Sequence, residues 1–91
     1  MTIYIPNDIN QTFYIIIYPN NTFLLTEVNI EKDKIMYIGK DRVKVEAMLR
    51  VIKKKAEETK KKNVKLMVYD MDEMGLKLNK QSHFYQFIPL Y

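Results

Sequence analysis

The stretch Asp41–Asn63, DRVKVEAMLRVIKKKAEETKKKN, constrains this chain more than any other. Val45, Met48, Leu49, Ile52 and Ala56 recur at the i, i+3, i+4, i+7, i+11 spacing, which lines them along one face of a helix. Thr59 prolongs the stripe, and no Gly or Pro interrupts it. Asp41 follows Gly39-Lys40 and is placed as N-cap, its carboxylate accepting from a free first-turn N–H. Lys60, Lys61 and Lys62 fall in the last turn, where positive charge suits the helix dipole, and Asn63 suits a left-handed C-terminal residue. A helix of about 20 residues reaches roughly 30 Å, enough to cross a small sheet. One apolar stripe has to be buried, so the remaining chain must supply a surface for it.

That surface reads as β-structure on both sides of the helix. Gln11–Tyr18, QTFYIIIY, is β-branched and aromatic with both faces apolar, as expected of a central strand. Pro19-Asn20-Asn21 is a turn, because Pro presets φ and Asn tolerates φ > 0. Thr22–Ile30 follows as a strand with Leu24, Thr26, Val28 and Ile30 on one face, and Ile35–Ile38 as another, ended by Gly39. After the helix, Val64, Leu66 and Val68 alternate with Lys65, Met67 and Tyr69 in a further strand. Asp70–Lys80 reads as a loop around Gly75, and His83–Ile88 as a last strand stopped by Pro89. Met1–Ile5, ended by Pro6, reads as a short edge strand. The expectation is an α+β fold of order (β)βββαββ: an antiparallel β-sheet of about five strands with one long helix packed on one face.

Ninety-one residues make one domain, 1–91. The absence of cysteine excludes disulfides and thiolate metal sites and fits a reducing, cytoplasmic setting. The longest apolar run, Phe13–Tyr18, is too short to span a bilayer, so no membrane association is expected, and no signal peptide is read. The net charge of +4 is uneven: residues 33–62 carry eleven basic against five acidic side chains, whereas residues 1–32 carry one against three. Ile, Lys, Asn and Tyr, whose codons are AT-rich, dominate the composition, which suggests a virus or mobile element.

Catalytic groups are sparse. Ser82 is the only Ser and His83 the only His. Adjacent residues on a strand point to opposite faces, which excludes a nucleophile–base pair between them. The two glycines, Gly39 and Gly75, are too far apart for a phosphate-cradling loop. Asp70, Asp72 and Glu73 form the one acidic cluster, but D-M-D-E-M-G departs from a Ca²⁺-loop pattern after its second Asp, and a solvated loop is the simpler reading. No enzyme activity, cofactor or metal is expected.

Two candidate contact surfaces remain. Arg50, Lys53, Lys54 and Lys61 lie on the helix and can meet phosphates or an acidic partner. Against that, Glu46–Arg50, Lys53–Glu57–Lys61 and Lys54–Glu58–Lys62 are i,i+4 sets that would neutralise charge locally. The C-terminal stretch offers Tyr85, Phe87 and Tyr91 as an aromatic contact surface, or as completion of the core. The function these features suggest is a small binding protein that occupies a surface of a host protein or ribonucleoprotein, for example as an inhibitor of a host defence system of the anti-CRISPR kind. The alternatives are a nucleic-acid-binding module using helix 41–62 and a sequestering protein for a small anionic nucleotide. A homodimer is compatible with each.

Overall fold

The structure, a computed structural model, describes residues 11–28, 33–58 and 64–88. The edge strand expected at Met1–Ile5 lies outside them, as does the end of the helix from residue 59 to 63. Three strands, β1 (Gln11–Ile17), β2 (Phe23–Val28) and β3 (Lys34–Gly39), precede the helix α1 (Arg42–Glu58). Two more, β4 (Val64–Asp72) and β5 (Gly75–Leu78), follow it, and a single 3-10 turn spans His83–Gln86. The fold is α+β, with five strands in the order β3-β2-β1-β4-β5.

Local chemistry explains the connections. Between β1 and β2, Asn21 takes φ 63° and its N–H donates to Tyr18 O at 2.9 Å, while Asn20 Oδ1 accepts from Thr22 N at 3.1 Å. The Asn pair therefore does what the turn requires. Asp41 caps α1, its Oδ1 accepting from Lys44 N at 3.1 Å. The Asp41 N–H itself donates to Tyr37 Oη at 3.0 Å, and Lys44 Nζ lies 5.5 Å from the centre of the Tyr37 ring. The end of β3 thus seats the start of the helix. A Cβ at Gly39 would meet the Tyr37 ring, so a side chain there would displace the tyrosine from this position.

Three expectations are corrected. The sheet is mixed, since β1 pairs with β4 in parallel, Phe13 opposite Leu66 and Ile15 opposite Val68. The reason is geometric: in a three-strand meander β3 runs parallel to β1, and a helical crossover returns the chain to the starting end of the sheet. The strand after α1 therefore repeats the direction of β1. Second, Asp70–Lys80 contains a hairpin rather than a loop. β4 runs on to Asp72, Asp72 Oδ1 accepts from Met74 N at 2.8 Å, and Gly75 at φ 110° closes the turn into β5. Third, His83–Ile88 is not a strand. Ser82 Oγ accepts from Phe84 N at 3.3 Å and starts the 3-10 turn, which delivers Phe84 and Ile88, four residues apart, to the core.

The core lies on one side of the sheet. Phe13 and Ile15, Phe23 and Leu25, and Val64, Leu66 and Val68 are buried with Val45, Leu49 and Ile52 of α1 and with Phe84 and Ile88. Phe84 meets Phe23 edge-on, ring centres 5.8 Å apart. Tyr85 secures the turn to the sheet: its Oη accepts from Val68 N at 2.8 Å, a donor beside the point where β5 pairing begins at Tyr69. Both described helical elements therefore cover the same face.

Candidate binding surfaces

On the outer side of α1, Arg50, Lys53 and Lys54 are exposed, and Lys61 lies outside the described residues. Of the i,i+4 sets read from the sequence, Glu46–Arg50 does not form, no Lys53–Glu57 or Lys54–Glu58 ion pair is present among the described residues, and Lys61 and Lys62 lie outside them. Glu46 Oε1 pairs with Arg42 Nε at 3.0 Å, not with Arg50, and lies 3.1 Å from His83 Nε2. Arg42 foremost, then His83, hold the Glu46 carboxyl below the usual carboxylate range. The Arg50 guanidinium instead sits 5.1 Å from the centre of the Phe87 ring. Among the described residues neither Lys53 nor Lys54 takes part in an ion pair. Exposed Lys–Glu pairs contribute too little to fix two long side chains in one geometry.

The C-terminal aromatics divide differently. Tyr85 and Phe87 are half-buried and pack against the core, and Tyr91 lies outside the described residues. Ser82 and His83 point to separate tasks, Ser82 capping the 3-10 turn and His83 facing Glu46. The acidic cluster is dispersed: Asp70 accepts from Asn79 Nδ2 at 3.1 Å, Asp72 pairs with Lys77 at 3.0 Å, and Glu73 is exposed in the turn. Lys77 first, then the Met74 N–H, hold Asp72 below its ordinary range. Among the described residues no three His, Asp or Glu side chains converge as metal ligands would.

Two further surfaces were not visible in the sequence reading. One is a groove of about 680 Å³ between α1 and the β3 side of the sheet, floored by Phe13, Met36, Met48 and Val51 and rimmed by Lys44 and Glu27. The other is the sheet face away from α1. Its register aligns Ile38, Leu24, Ile16, Tyr69 and Leu78 in one row across all five strands. A second row sets Ile35, Thr26, Tyr14 and Met67 beside it, and Tyr14 meets Tyr69 edge-on at 5.8 Å. At the strand positions of this face Lys65 is the one charged side chain among the described residues. Ile38 is 61% exposed, Ile35 60% and Leu76 50%. The sequence signal for this face is the second apolar side of QTFYIIIY, which marks a central strand but does not say what covers it.

Compared with protein-family models, curated proteins and solved structures, the chain matches none. No described helix is long and apolar enough to cross a membrane.

Proposed function

We propose that this is a non-enzymatic binding protein that occupies the phosphate-bearing surface of a nucleic acid or nucleoprotein through the outer face of α1. The observation that carries the reading is the condition of Lys53 and Lys54, exposed and outside any ion pair among the described residues. Across Arg42–Glu58 six basic side chains stand against three acidic, a net +3, and Lys60, Lys61 and Lys62 follow in the sequence. Such a strip is matched by the dense, regular charge of a phosphate backbone, where released counterions supply the affinity. Thirteen of the fifteen basic residues are Lys, which favours backbone contact over base readout, so binding is expected to be indifferent to sequence. For a protein of viral or mobile-element origin, covering the nucleic-acid track of a host defence complex is the concrete form of this activity.

The test is fluorescence anisotropy with labelled mixed-sequence DNA and RNA, single- and double-stranded, at low and moderate salt. Contact with three or four duplex phosphates gives a log–log salt slope of about −3. The Lys53→Glu, Lys54→Glu double variant is expected to lose at least about tenfold in affinity. No binding at low salt, or equal binding by the double variant, overturns the proposal.

A further inference from the structure

The other side of the molecule supports a separate inference, on a surface the proposed helix contact does not use. We infer that the open face of the sheet is the interface of a symmetric homodimer. Five strands about 4.8 Å apart, each about six residues long at about 3.3 Å per residue, make a face of roughly 24 by 20 Å. That is ~480 Å² in projection, and side-chain relief raises the accessible area above it. A standard interface buries about 800 Å² per partner, and crystal-type contacts mostly stay below about 400 Å². The face therefore exceeds a crystal-type contact and, with that relief, approaches the roughly 600 Å² per partner at which specific interfaces begin, while matching the largest apolar patch of a typical monomer.

The identity of the occupant follows from charge. The protein carries +4, yet the strand positions of this face hold a single charge among the described residues, Lys65 at one end. In a two-fold contact each residue meets a surface of its own composition. A face of Ile, Leu, Tyr and Met tolerates that, because apolar groups attract their own kind and no like charges are forced together. A heterologous partner selected by charge has nothing to read here. Packed as two aligned sheets about 10 Å apart, the copies place their basic helices on the outside, with axes on the order of 25–30 Å apart. At physiological ionic strength that is about three Debye lengths, so the net charge does not oppose assembly. A depression of about 550 Å³ beside Leu24 and Ile38, lined also by Tyr18 and Pro19, gives the face relief for a side chain of the second copy. The assembly is a two-layer sandwich core with an α1 strip on each outer side.

Sedimentation velocity on the full chain, over a hundredfold range of concentration up to about 100 µM, decides it. The expected result is a species of twice the 11.0 kDa chain mass and a Tm that rises with protein concentration. Ile38→Lys with Leu78→Lys places two charges on exposed edge-strand positions of the face. This variant is expected to keep its far-UV circular dichroism and sediment at 11.0 kDa. Val43→Lys, at a 70% exposed position on the helix side, is expected to remain a dimer. A wild type that stays at the monomer mass with a concentration-independent Tm overturns the inference and assigns the face to another protein or another part of the chain. A dimer that survives the Ile38, Leu78 double change also overturns it. If that double variant fails to fold, Ile38→Thr and the wild-type Tm series settle the question alone. None of these outcomes bears on nucleic-acid binding by α1, so the two readings stand or fall separately.

Discussion

The two faces of the sheet are almost equally apolar along β1, where Phe13 and Ile15 point one way and Tyr14 and Ile16 the other. The first pair is buried beneath α1 and the 3-10 turn, whereas the second is half-exposed. A face with no further role in a small domain usually alternates toward polar residues, because exposed apolar area invites aggregation. Here the alternation is missing on β1 and weak on β2, β3 and β5. The helix shows the reverse pattern: its inward stripe of Val45, Leu49 and Ile52 is opposed by an outer side rich in charge. The two layers meet water differently: the outer side of α1 mainly with charge, Val43 and Val51 apart, and the open sheet face mainly with apolar side chains.

The comparison breaks most cleanly at neighbouring residues. Ile15→Ala empties a fully buried site and is expected to cost about 2–5 kcal/mol in urea unfolding at any protein concentration. Ile16→Ala, one residue on and facing the other way, is expected to cost about 1 kcal/mol or less at low concentration, with a loss that grows as concentration rises. Equal, concentration-independent losses would mean that both faces are closed within one chain. A smaller effect sharpens the covered side. Tyr85→Phe removes the acceptor for Val68 N–H and is expected to cost about 1–2 kcal/mol. Amide exchange of Val68 is expected to quicken more than that of Leu66. Unchanged exchange at Val68 would show that the core contacts of Phe84, Phe87 and Ile88 hold the 3-10 turn without that hydrogen bond.

The sequence makes the covered face readable and leaves the open one obscure for a physical reason. The stripe of α1, the alternation of Val64, Leu66 and Val68, and the Asn turn are local patterns enforced by backbone geometry, and each appears where its spacing puts it. Parallel pairing of β1 with β4 depends on where a crossover delivers the chain, which no local spacing encodes, although the meander before α1 implies it. The β4–β5 hairpin was legible in principle, since Tyr69 and Met71 alternate into a turn ending at Gly75, and Leu76 and Leu78 resume the same face. Phe84 and Ile88, four apart behind Ser82, likewise carried a helical spacing that the aromatic and aliphatic run Phe84-Tyr85-Gln86-Phe87-Ile88, broken only by Gln86, concealed. The candidate strip on α1 was found by charge alone. Its pairing differs from the one read because Glu46 has an i,i+4 arginine on each side: it takes Arg42 and, across the fold, His83, while Arg50 lies over the Phe87 ring.

That last contact gives the smallest effect and ties the charged side to pH. Glu46 is held below its ordinary range by Arg42 and then His83, so the unfolded chain takes up its proton at a higher pH than the folded one. Its contribution is therefore complete above about pH 4.3, the ordinary value for a glutamate, and is lost as pH falls through the lowered folded value. Asp72, lowered by Lys77 and the Met74 N–H, behaves in the same sense from about pH 3.9 downward. In urea unfolding from pH 6 to pH 3, the wild type is expected to lose more stability than Glu46→Gln, the two curves converging at the acid end. The variant should also release His83, and the chemical shifts of its ring are the check. Curves that stay parallel to pH 3 would mean that the Glu46 contact with Arg42 and His83 adds nothing to folding. The N-terminal half of α1 would then be anchored by its apolar stripe and the Asp41 cap alone.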